Sequence, residues 1–270
     1  MNKNLLAEII KYPKLKKRLT DRPEDEARVG ELLTEMAYTF KPQYINYMKV
    51  MIEKSLLKLY DSVDCGAEDE TNWGKLVKDN HVIFVPNHQS HADYLILNYV
   101  LHTRYGLTPK VAGGINLNIF PIGPLFRKAG CFFIRRTFSS DILYKLTLES
   151  YISWMLKGGS SIEFFFEGGR SRTGKLLPPK FGLFQMILET YLNFEGSTQK
   201  DLLFVPVSIV HEFVPEQSSL TRELRGGKKK KESFLQLLKL YSVMKMNLGT
   251  VHIHMGKPIK FVPQQEEQDL

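Results

Sequence analysis

Apolar residues recur along this chain in two rhythms. From about Glu24 to Phe40, and again after Pro42, they return at helical spacing, with Ile45, Met48, Ile52, Leu56 and Leu59 on one face. These helices either cover a sheet or meet lipid. Elsewhere the apolar positions form short dense runs: "HVIFVP", "KVAGG", "GCFFIRR", "SSIEFFFE", "LLFVPVSIV" and "TVHIHMG". Such runs suit strands covered on both faces. In "SIEFFFE" the alternation puts Glu163, Phe165 and Glu167 on one face and Ile162, Phe164 and Phe166 on the other.

Between these runs lie helices. Asp93 to Tyr105 is apolar nearly all round, which predicts a buried helix, and Gly106 ends it. Ser139 or Ser140 would cap a helix running to Lys157 and stopping at Gly158 and Gly159, and "GLFQMILETYL" supplies another. Strands divided by helices predict an α/β fold with a mostly parallel or mixed central sheet flanked by helices, preceded by an N-terminal helical segment. The polar stretch "DSVDCGAEDETNWG" reads as a linker. It divides the chain into an N-terminal segment, 1–74, and an α/β domain, 75–270, expected to pack as one unit.

Composition narrows the partners. Among 270 residues, 37 Lys and Arg face 29 Asp and Glu, a net charge of +8 that favours phosphorylated substrates, polyanions or an anionic membrane surface. Lys228 to Lys231 form only a brief basic run, with no aromatic-interleaved or recognition-helix pattern, so nucleic acid is not expected. Cys65 and Cys131 have no redox-pair spacing, and neither is a good nucleophile candidate. The N-terminus lacks the pattern of a secretory signal, and no apolar run is long enough to span a bilayer. The expected location is cytoplasmic, peripheral on the cytoplasmic face of a membrane. The apolar loop "NIFPIGPLF", Asn118 to Phe126, either reaches lipid or packs around a groove, and the basic N-terminal residues add attraction to anionic lipid.

Candidate chemistry sits first in "NHQSHADYLIL". His88 lies five residues before Asp93, in a loop that can fold the ring back onto the carboxylate, whereas His91 at two residues is poorly placed. Asp93 would then select the tautomer of His88 and support its positive charge, an orienter with a general base. The competing view has Asp93 merely sitting well at a helix N-terminus. No third ligand suggests a metal site. Ser90 lacks the flanking glycines of a nucleophile elbow, so the nucleophile would come from a substrate such as an alcohol.

The second cluster is "FFFEGGRSRTGKLLPPK". Gly169, Gly174 and Lys175 approach a nucleotide-binding loop, but Leu176 replaces the magnesium-binding hydroxyl, and Pro178 and Pro179 forbid the helix that should follow. Arg170 and Arg172 instead offer planar forks for phosphate oxygens, with Lys175 adding positive potential. Glu167 would bind a substrate hydroxyl or order this loop. Arg135 ends the "GCFFIRR" strand and joins the phosphate candidates, while Arg136 is expected at the surface. The ends of parallel strands commonly assemble one site.

These segments resemble the glycerophospholipid acyltransferase superfamily. Its first block, N-H-x-S-x-x-D, is Asn87 to Asp93; the others resemble Gly130 to Arg136, Phe165 to Lys175 and Phe204 to Ile209. "AGGINLNIFPIGPLFRKAGCFFIRRTF" and "RELRGGKKKKES" look like the catalytic domain of the bacterial membrane-associated glycerol-3-phosphate acyltransferase branch. The resemblance implies that fold and a transfer of a fatty acyl group from acyl-CoA or acyl carrier protein to the 1-hydroxyl of glycerol 3-phosphate. No permanently bound cofactor is implied. His88 would deprotonate the hydroxyl and Asp93 would hold His88. Arg135, Arg170 and Arg172 would receive the phosphate, Glu167 and Gly168 would shape its site, and Pro206 would shape the pocket. Acylation of 1-acylglycerol 3-phosphate is the runner-up, because those enzymes are compact like this chain. A thioesterase-like hydrolase and a noncatalytic anionic-lipid-binding module are further alternatives.

Overall fold

The computed structural model describes residues 3–68, 71–137, 140–194, 200–214 and 247–263. The basic run at Lys228 to Lys231, the surrounding "RELRGGKKKKES" and Ser139 lie outside them.

The chain begins with helices α1 (Lys3–Ile9), α2 (Pro13–Asp21), α3 (Asp25–Met36) and α4 (Pro42–Lys54). There follow β1 (Ser62–Ala67), α5 (Trp73–Asp79), β2 (His81–Pro86), α6 (Asp93–Tyr105), β3 (Lys110–Gly114), α7 (Ile122–Ala129) and β4 (Cys131–Ile134). The remainder is α8 (Ile142–Lys157), β5 (Ile162–Glu163), α9 (Phe181–Leu192), β6 (Leu202–His211), β7 (Thr250–Met255) and β8 (Ile259–Lys260). One mixed sheet runs β1-β7-β6-β2-β5-β3-β4, with β8 also on β6. Pairing is parallel from β6 across to β4 and between β1 and β7, and antiparallel where β6 meets β7 and β8.

The dense apolar runs are explained by two cores, one on each face of the sheet. Val82, Phe84, Phe133, Val205 and Val207 point to the face covered by α4, α6 and α7. Ile83, Phe132, Ile162, Phe164 and Phe204 point to the other, where Leu15 of α2, Leu32 and Leu33 of α3, and α8 and α9 close over them. Each large apolar side chain fully buried this way contributes roughly 1.5–3 kcal/mol. The early helices therefore cover the sheet, and their buried faces are core.

Four expectations need correction. The stretch read as a linker contains β1, which pairs in register with β7 from Ser62↔Thr250 to Ala67↔Met255. Its alternating exposed and half-buried positions are those of an edge strand, which reads as polar in sequence. Asp141, not a serine, caps α8, its side chain accepting from the Tyr144 N–H at 3.0 Å. The "NIFPIGPLF" segment is only partly a loop: α7 begins at Ile122, burying Ile122 and Phe126, while Ile119 and Phe120 remain exposed. Pro206 stands within β6 rather than at a strand end or bulge. It faces Val85 of β2 on one side, and on the other it falls between the residues paired with β8 (Leu203, Phe204) and those paired with β7 (Val207 to His211). Its missing N–H thus leaves no ladder bond unmade.

Candidate active site

β2 ends at Pro86, and the next residues are fastened before α6 starts. The Asn87 side chain extends the ladder, donating to the Ile209 carbonyl at 3.0 Å and accepting from the Ile209 N–H at 2.6 Å. The His88 N–H donates to Glu167 Oε1 at 2.7 Å, and its carbonyl accepts from the Ser171 N–H at 2.7 Å. Glu167 Oε2 accepts from the Leu177 N–H at 2.8 Å. The buried Glu167 carboxylate therefore stitches the histidine loop to the arginine loop, so of its two proposed roles the ordering one matches its bonds.

His88 Nδ1 lies 2.9 Å from Asp93 Oδ2. The same oxygen accepts from the Gln89 and Ser90 N–H groups at 2.7 and 2.8 Å, and Oδ1 lies 2.7 Å from His211 Nε2. Burial alone would raise the Asp93 pKa; the bonds from His211 and His88 outweigh it and hold the carboxyl at about 2. Asp93 is thus an anion and only accepts, so His88 carries its proton on Nδ1 and keeps Nε2 as a basic site. The His88 ring packs on Phe165, centroids 4.1 Å apart, and its side chain is 13% exposed. His91 differs: burial, then the neighbouring Arg170 charge, push its pKa down to about 3, which keeps it neutral.

A cavity of about 1550 Å³ opens over the carboxyl ends of β2, β3, β4 and β5, and His88, Arg135, Arg170, Arg172 and Gly168 all line it. Arg136, expected at the surface, is exposed and lines the cavity as well. Arg170 is half-buried and Arg172 exposed. Arg135 is engaged already: its guanidinium forks onto Glu35, 2.6 Å to each carboxylate oxygen, and reaches Asp141 at 3.3 Å. Below the polar mouth the walls turn apolar, with Met48, Ile52, Leu95, Val111 and Phe126. Gly113 widens this part; a side-chain carbon there would come within 2.7 Å of Cys131 Sγ. Cys131 borders the cavity, but burial pushes its thiol up to about 12, so it offers no thiolate.

Three candidates fall elsewhere. Pro206 is exposed and does not line the cavity. Ser90 is fully buried, its hydroxyl accepting from the Ala92 N–H at 3.0 Å, so it braces the loop. Lys175 is exposed outside the cavity lining, its carbonyl accepting from the Ser171 hydroxyl at 2.5 Å. Conversely, Glu35 and His211 were missed. Glu35 lies 100 residues before the arginine it binds, and His211 lies 118 residues after its carboxylate, so no local spacing points to either.

Fold and site together define an α/β enzyme whose buried carboxylate orients a histidine at the mouth of a half-polar, half-apolar cavity. A profile for acyltransferases matches residues 69–210, and one for the glycerol-3-phosphate acyltransferase C-terminal region matches residues 221–269. The chain belongs to the glycerophospholipid acyltransferase superfamily, and it is related to part of the bacterial proteins named glycerol-3-phosphate acyltransferase. A glycerol-3-phosphate acyltransferase of Pseudomonas fluorescens is 36% identical over 99% of this chain and 33% of its own length. One of Pseudomonas putida is 35% identical over 99% of this chain and 34% of its own length. The chain thus spans about a third of these relatives. The crystal structure of a 1-acyl-sn-glycerophosphate acyltransferase from Thermotoga maritima aligns with a TM-score of 0.42 at 17% identity, over 80% of this chain and 68% of that one. Among the described residues no helix is long and apolar enough to cross a membrane.

Proposed function

We propose that the protein transfers a fatty acyl group from an acyl thioester of coenzyme A or acyl carrier protein to the 1-hydroxyl of glycerol 3-phosphate. The observation that carries this reading is the shared cavity lined by His88, Arg135, Arg170 and Arg172. His88 Nε2 takes the proton of the acceptor hydroxyl as its oxygen attacks the thioester carbonyl. The C–S bond then breaks, and the imidazolium returns the proton to the leaving thiolate. Asp93 supports the imidazolium while it exists. No covalent enzyme intermediate is needed, and the high pKa of the Cys131 thiol fits that. The arginines hold the acceptor phosphate, which fixes the hydroxyl against His88.

The names of the Pseudomonas relatives favour glycerol 3-phosphate as acceptor. A second reading, acylation of 1-acylglycerol 3-phosphate, is favoured by the size of the cavity, which has room for an acyl chain on the acceptor beside that of the donor. A steady-state assay crossing both acceptors with acyl-CoA and acyl-carrier-protein donors tests the choice. Higher kcat/KM for glycerol 3-phosphate is expected, and preference for the lyso acceptor overturns it. Thioester loss that needs no acceptor would turn the assignment to a hydrolase.

The same reading places the enzyme against the cytoplasmic face of an anionic membrane. Phe120 is 86% exposed and adjoins Ile119, which borders the cavity, so acyl product can leave toward lipid beside an apolar contact. Residues 1–74 and 75–270 then work as one unit, since Glu35 of the first segment holds Arg135 of the second.

A further inference from the structure

Behind the proposed base lies a second imidazole that the reaction outlined above does not use. The His211 side chain is fully enclosed at the end of β6 and bonds to the Asp93 oxygen that His88 leaves open. Its other nitrogen, Nδ1, lies 3.0 Å from the Tyr60 hydroxyl. A buried chain therefore runs His88–Asp93–His211–Tyr60, drawing together residues from three separate segments. Hydrogen-bond logic fixes the direction at Asp93. Asp93 is ionised and can only accept, so His211 donates from Nε2. At the far side of the ring Nδ1 shares its hydrogen bond with the Tyr60 hydroxyl, which anchors the imidazole in place. Facing His211 are Asp93 from α6 and Tyr60 from the turn after α4; opposite it on β7 stands Val251, and the neighbouring Glu212 carboxylate is turned to the Thr250 N–H at 2.8 Å.

We propose that His211 is a positioning residue: anchored on the Tyr60 hydroxyl, it donates to Asp93 Oδ1 and so holds the carboxylate with Oδ2 turned to His88. A cation at position 211 would cancel the carboxylate and weaken the base. An apolar side chain there would strip one bond from a buried anion, raise its proton affinity and draw the His88 proton toward it. The first change moves the acid limb of the activity profile to lower pH and the second moves it to higher pH. This inference rests on His88 being the base.

The test compares wild type with His211→Phe, His211→Gln, Tyr60→Phe and His88→Ala. His211→Phe is expected to lower kcat about 10- to 100-fold, part of what a general base supplies, with acceptor KM nearly unchanged and the acid limb of kcat/KM raised. His211→Gln, which can still donate to Asp93, restores most of kcat. Tyr60→Phe, which removes the anchor of the His211 ring, lowers kcat by a smaller factor. Imidazole nitrogen NMR of the wild-type protein, which needs no variant to fold, should show a proton on His211 Nε2 hydrogen-bonded to Asp93. A His211 Nε2 without a proton overturns the proposal, as does an unmoved limb in folded His211→Phe. An active His88→Ala instead removes the base assignment itself. An inactive His88→Ala beside an unaffected His211→Phe removes only the role of His211.

Discussion

Replacing Asp93 by Asn keeps the shape of the side chain and deletes its charge, and the structure allows the cost to be worked out. Oδ2 takes three donors and Oδ1 one, so an amide must set its NH₂ against at least one of them. Turned toward Oδ2, the NH₂ would leave the Gln89 and Ser90 N–H groups unpaired, at roughly 1–3 kcal/mol each. Turned toward His211 it needs only a change of tautomer there, so this arrangement is the cheaper. His88 then keeps a hydrogen bond but loses the anion that supports its protonated form, and kcat should fall by about 100- to 10,000-fold. Stability changes too. The wild-type carboxyl is held at about 2 against an ordinary 3.8, which corresponds to about 2 kcal/mol of stabilisation. Because the folded pKa is the lower one, that contribution is complete above the unfolded pKa and is lost as pH falls toward about 2. Urea unfolding of both proteins at neutral and acidic pH, beside steady-state turnover, measures both effects. A folded variant with kcat within a few-fold of wild type, or a stability gap that does not close on acidification, would refute the reasoning.

Two further predictions concern the cavity and its floor. Arg170→Ala and Arg172→Ala each remove charge-assisted bonds worth about 1.5–3 kcal/mol, so acceptor KM should rise roughly 10- to 150-fold with kcat less affected; initial rates against acceptor concentration check this. Glu163 is fully buried, its Oε2 accepting from the Asn98 amide at 2.8 Å, and burial pushes its pKa up to about 8. A raised carboxyl favours the fold below its unfolded pKa, and that advantage is lost as pH rises toward about 8, at up to about 1.4 kcal/mol per pH unit. Glu163→Gln should therefore flatten the stability profile across that window, and denaturant titration at a series of pH values reads it.

Much of this arrangement was legible along the chain. The runs around Val82 to Phe84 and Phe132 to Phe133 had to be two-faced strands, because alternate residues serve opposite cores. The face of Glu163, Phe165 and Glu167 could be read from alternation although the ladder covers only Ile162 and Glu163, since burial persists beyond the pairing. His88 and Asp93 were legible because one loop carries both. What escaped depends on contacts between distant parts of the chain. β1 is polar at the sheet edge and finds its partner 188 residues away at Ser62 and Thr250. Glu35 and His211 show no local pattern, since each acquires its role only when a helix or strand end packs against the site. Pro206 looked like a site residue because of its block, yet in space it falls between the stretches of β6 paired with β7 and β8.

The account turns on the imidazole at position 88. The most direct measurement is the turnover of acyl thioester with glycerol 3-phosphate by wild type and His88→Ala, together with acceptor binding to each by calorimetry. The account predicts a loss of at least about 100-fold in kcat with acceptor affinity nearly unchanged. Turnover within a few-fold of wild type in a folded His88→Ala protein would contradict it.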